Sequence, residues 1–112
     1  MRLSNSHKAV VDIEKLRNYS LNPNHPVGKH KARVFRAALG ITEAHAGWLR
    51  ERAMEAALSD YAELGAKSVF GDKYVIDSTI EFEGKSAVVR FTWIVEFGTD
   101  FPRLTSCYVK QR

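Results

Sequence analysis

Cysteine occurs once in the 112 residues, which excludes an internal disulfide and a cysteine-based metal cluster. Long apolar runs are missing: none approaches the roughly 18 residues of a membrane helix. No signal-peptide pattern follows Met1, so the expectation is a cytoplasmic protein without a membrane partner. A glycine-rich nucleotide loop is also missing. His25 and His30 have no third ligand at useful spacing, so neither a metal nor another cofactor is expected. With no repeat, low-complexity tract or linker, residues 1–112 are expected to form a single domain.

Acid is missing from one stretch. Residues 15–42 carry Lys15, Arg17, Lys29, Lys31, Arg33 and Arg36 with no Asp or Glu, a charge of +6. Residues 1–14 are neutral, residues 43–100 carry −5 and residues 101–112 carry +3, giving +4 in total. A segment this basic is a candidate surface for a polyanion, against the plainer reading of a solvated helix face. Apolar residues make up 45% of the chain, enough to bury a core without staples.

The chain divides by periodicity. Residues 9–11 (Ala-Val-Val) fit a short strand or packing segment. Asp12 is placed to cap a short helix over about 13–20, with Ile13 and Leu16 inward. Asparagines and prolines make residues 21–26 a loop. A second helix is predicted from Pro26 or Val27 to Leu39, closed by Gly40. Thr42 is placed to cap a third, over about 43–58, with Ala46, Leu49, Ala53, Ala56 and Ala57 on its packed side. Alternation then predicts strands over 73–82 and 85–96 around a Glu83-Gly84 turn, and a last strand over 103–110. The expected fold class is α+β: N-terminal helices packed on one face of a C-terminal antiparallel sheet of three or four strands.

Pairing Phe82 with Lys85 sets Ile76 opposite Phe91, Tyr74 opposite Trp93 and Asp77 opposite Arg90. Tyr74 and Trp93 then belong to the packed face. Pairing Glu96 with Arg103 would place Arg103, Thr105 and Cys107 on the polar face. A one-residue slip would exchange the faces.

The second helix breaks a local rule. Cations belong near helix C-termini, yet Lys29, His30 and Lys31 fall in its first turn. Rule violations of this kind mark functional sites. Unbonded N–H groups, a Gly28 that admits close approach and the flanking cations together suit a phosphate. Lys29, Arg33 and Arg36 share one side of the helix. Lys31 falls within the apolar arc, where it must snorkel outward or hold an anion in a cleft.

The run Asn22-Pro23-x-His25-Pro26-x-Gly28-x-His30-Lys31-Ala32-Arg33-Val34-Phe35 resembles a small family, domain of unknown function 6883. Residues 89–94 (Val-Arg-Phe-Thr-Trp-Ile) and 102–109 (Pro-Arg-Leu-Thr-Ser-Cys-Tyr-Val) carry the same resemblance. It implies a bacterial protein that occurs alone and as the toxic tip of contact-dependent toxins. The basic helix and late strand also resemble barnase–RelE-like endoribonucleases, an analogy at the level of fold. Carried onto this chain, the resemblance implies His30, Lys31, Arg90, Thr92, Thr105 and Tyr108 as site residues.

The function expected on these grounds is a metal-independent endoribonuclease that binds RNA phosphate at the start of the second helix. Such an enzyme needs a base for the 2′-hydroxyl, an acid for the leaving oxygen and cations for the phosphorane. His30 is the candidate base, Lys31 and Arg90 the candidate cations, and Thr105 and Tyr108 the groups that position the leaving oxygen. Gly28, Lys29, Arg33 and Arg103 are candidate phosphate contacts. Asp77 reads foremost as the structural partner of Arg90. The alternatives are a non-catalytic nucleic-acid or anion-binding module and a protein-interaction module. The expected partners are RNA and, for a toxin, a small acidic antitoxin or immunity protein covering residues 28–36.

Overall fold

Glu83 and Gly84 take φ angles of 49° and 85°. Two successive left-handed residues give a tight turn whose twist suits a hairpin. The turn joins β2, Gly71–Phe82, to β3, Lys85–Glu96. Phe82 pairs with Lys85, Ile76 with Phe91 and Tyr74 with Trp93. This is the register that the alternation predicts, and it puts Trp93 in the core, fully buried.

The computed structural model describes residues 1–111; Arg112 lies outside the described residues. The fold is α+β, with helices mostly in the first half and a four-stranded antiparallel sheet in the second. The strand order is β1-β2-β3-β4, with β1, Glu63–Lys67, and β4, Arg103–Val109, at the edges. No described helix is long and apolar enough to cross a membrane.

The sequence reading missed β1. Residues 63–67 (Glu-Leu-Gly-Ala-Lys) contain no β-branched side chain and are largely exposed. Pairing with the free edge of β2, not intrinsic preference, makes this segment a strand.

The register of β4 corrects a second expectation. Arg103 pairs with Ile94 rather than Glu96, and the ladder shifts by one residue between Trp93 and Thr92. This bulge at Thr105 inverts the alternation beyond it. Cys107 therefore points into the core opposite Phe91, instead of lying on the polar face. Ser106 and Tyr108 turn to the outer face, opposite Thr92 and Arg90.

The helices close the other side. Asp12 caps α1, Ile13–Lys15, accepting the Glu14 N–H at 2.9 Å; a wide π-helical turn over Leu16–Ser20 follows. The second helix, α2, spans Lys29–Leu39 and ends on Gly40 at φ 73°, as expected. Thr42 and His45 form a capping box leading into α3, Ala46–Ser59. Ala46, Leu49, Ala53, Ala56 and Ala57 are all buried. Phe35 and Leu49 meet Ile76, Phe91 and Trp93 in one apolar cluster. Residues 9–11 pack as well: Ala9 and Val11 are buried, and Val10 bridges β4 in parallel beside Arg103.

Candidate anion-binding site

The helix α2 begins two or three residues later than its proline suggests, because His25 takes the preceding N–H groups. Its Nδ1 accepts from Val27 N at 3.0 Å and Gly28 N at 2.9 Å. The Lys29 N–H bonds the His25 carbonyl at 3.0 Å. A ring nitrogen that accepts two N–H bonds carries no proton, so His25 acts as a cap in place of the usual Ser or Asp. The expected row of free N–H groups is therefore shortened by those of Val27, Gly28 and Lys29.

The space a side chain would fill at Gly28 is taken by the protein itself. A Cβ there would lie 2.0 Å from the Tyr19 carbonyl oxygen. The glycine lets the loop pass against the backbone of the π-helical turn. That contact sets Tyr19 beside the start of α2, with its ring edge-on to His25 at 4.7 Å between centroids.

Lys31 uses this arrangement. Its Nζ donates to Ser106 Oγ at 2.9 Å, reaching the β4 edge of the sheet. The ammonium lies 4.9 Å from the Tyr19 ring centroid and 5.6 Å from that of Tyr108. Both rings are within cation–π range. The side chain is half-buried, and no carboxylate pairs with it among the described residues.

On the other flank of α2 lies an open groove of about 590 Å³. Leu21, Pro23, Ala32 and Ile41 give it apolar lining; Lys29, Arg33 and Arg36 form a cationic wall, with Glu43 as the acid present. None of these three cations is ion-paired among the described residues. A smaller groove, of about 310 Å³, runs between α2 and β4 and is lined by His30, Lys31, Arg33 and Tyr108 among others. His30 and Arg33 border both grooves.

The strand candidates are occupied differently. Arg90 makes a two-pronged pair with Asp77, at 2.8 and 2.9 Å, and Lys110 reaches the same carboxylate at 3.1 Å. The Arg90 guanidinium holds the Asp77 carboxyl below its ordinary range; Lys110 adds to this and partial burial opposes it. Asp77 in turn raises the Arg90 pKa, with the Tyr108 hydroxyl contributing in the same direction. Thr105 faces Thr92 across 2.8 Å between hydroxyl oxygens, where the pair closes the bulge. Arg103 pairs with Glu96 at 3.0 Å. Arg90, Thr105 and Arg103 are therefore engaged within the sheet, while His30, Lys31 and Tyr108 share one groove. The sequence reading did not single out Tyr19 or Ser106, which hold Lys31. Tyr19 lies outside the motif, and the outward turn of Ser106 depends on the bulge.

A sheet covered on one face by helices defines an α+β domain, and the cations of α2 at its edge have no acid partner among the described residues. The chain belongs to the family described as domain of unknown function (DUF6883), whose model matches residues 2–111. Comparison with curated proteins and with solved structures gave no match.

Proposed function

We propose that this domain binds RNA through the phosphates of the strand, with α2 as the contact element. One observation carries the reading: Lys29, Lys31, Arg33 and Arg36 lie within eight residues and none has an acid partner among the described residues. Arg90, Arg103 and Lys110, on and beside β3 and β4, are by contrast ion-paired: Arg90 and Lys110 share Asp77, and Arg103 pairs with Glu96. Unpaired, closely spaced cations raise the local positive potential and attract a polyanion. Replacing Lys29, Arg33 and Arg36 together by Gln is expected to weaken binding of an RNA oligonucleotide by at least about 30-fold at low salt. Unchanged affinity in the triple variant would remove the reading.

A second reading adds cleavage without metal. The observation favouring it is that His30, Lys31 and Tyr108 line one groove. In this scheme His30 takes the 2′-hydroxyl proton and Lys31 stabilises the phosphorane. Tyr108 donates to the departing 5′-oxygen. Arg90 and Thr105 drop out of the catalytic set, and Gly28 and Arg103 drop out of the phosphate set. Incubation with RNA in the presence of chelator, beside His30→Ala, tests the scheme. Cleavage by the parent alone supports it; no cleavage, or equal cleavage by both, leaves a binding module. The toxin context and an acidic antitoxin partner follow from the family resemblance and belong to this second reading.

A further inference from the structure

We propose that the RNA taken by this surface is a flexible single strand that crosses over α2, and not a duplex. This rests on the RNA-binding reading above. The unpaired cations face two grooves rather than one surface. Lys29 and Arg36 wall the larger groove, and Lys31 stands in the smaller one, beside β4. His30 and Arg33 are exposed and border both, which makes them the ridge between the grooves. A strand that meets every cation must pass over this ridge, on a helix about 10 Å across.

A duplex is stiff over many base pairs and keeps its bases inside. It could lie along Lys29, Arg33 and Arg36 but could not fold over the ridge to Lys31. The Lys31 ammonium is also recessed, held at 2.9 Å by the Ser106 hydroxyl and flanked by two tyrosine rings. A single strand bends freely and turns its bases outward. Pro23, exposed at the larger groove, gives such a base an apolar surface that a duplex would not use.

The test compares two labelled probes at fixed ionic strength: a single-stranded RNA of about 12 nucleotides and a hairpin with the same number of phosphates, paired throughout its stem and closed by a non-nucleotide linker. The single strand is expected to bind at least about tenfold more tightly. Lys31→Met, checked for folding by circular dichroism, is expected to narrow that preference to about threefold or less. Equal or tighter binding of the hairpin, or an unchanged preference in Lys31→Met, overturns the inference and leaves RNA binding itself standing. Binding of neither probe overturns the RNA-binding reading and this inference with it.

Discussion

Lys31 and Ser106, 75 residues apart in the chain, meet at 2.9 Å and join the first turn of α2 to the outer face of β4. The ammonium thereby enters a half-buried position with hydroxyl and π-electron neighbours but no carboxylate. A cation without a counter-charge contributes little to stability, because its desolvation offsets its neutral contacts. Lys31→Met keeps the apolar stem and removes the charge. It is expected to change unfolding free energy by no more than about 1 kcal/mol in urea titrations. RNA affinity in the same variant is expected to fall severalfold. A large loss of stability with unchanged RNA affinity would make Lys31 a structural residue.

The His25 cap carries a separate expectation. His25→Ala leaves the Val27 and Gly28 N–H groups without their acceptor. A cost of about 1–2 kcal/mol follows, as for loss of other helix caps. Amide exchange at residues 27 and 28 should accelerate first. Gly28→Ala forces a Cβ against the Tyr19 carbonyl, and a loss of about 1–3 kcal/mol is expected from the shift this requires.

Much of this fold is legible in the sequence, and the omissions have physical causes. Strict alternation on either side of Glu83-Gly84 encodes the hairpin and its register. The alanine side of α3 and the Thr42 cap are equally plain. The strand β1 is hidden because it is defined by a neighbour's free edge, not by its own side chains. The bulge at Thr105 is hidden because alternation alone does not record where a strand gains a residue, yet it decides which of Ser106 and Cys107 faces the core. At the candidate site, the cations of α2 are visible as an acid-free run. Which of the other charges are neutralised is not, since Arg103 finds Glu96 through side-chain reach across a shifted register. Gly28 reads as a ligand seat in the sequence, and its contact with the Tyr19 backbone, which no local pattern records, emerges only from the fold.

Asp77 gives an acid-side prediction. Its carboxyl is held below the ordinary value of 3.8, mainly by Arg90. A carboxyl with a lowered folded pKa stabilises the fold above its unfolded pKa. That contribution fades as pH falls below 3.8 and through the lower folded value. Asp77→Asn should therefore lose stability relative to the parent at pH 7, and the difference should shrink at pH near 3, measured by urea unfolding. A difference that does not change with pH would contradict the role given to the Arg90–Asp77 pair.

Cys107 gives an alkaline counterpart. Burial pushes its thiol from 9.0 up to about 12. Between these values the unfolded chain releases a proton that the folded chain keeps, so stability falls as pH rises. The slope from this one group is about 1.4 kcal/mol per pH unit. Cys107→Ala should remove that part of the slope above pH 9, whatever its stability at neutral pH. The native thiol should also resist alkylation, reacting at a rate set by opening of the fold.

The account turns on whether the unpaired cations of α2 contact phosphates. The most direct test is the dependence of RNA affinity on salt concentration. Four contacts predict a slope of log affinity against log salt of about −3 for a single strand, reduced to about −1 in the Lys29→Gln, Arg33→Gln, Arg36→Gln variant. A shallow slope in the parent, or the same slope in both proteins, would contradict it.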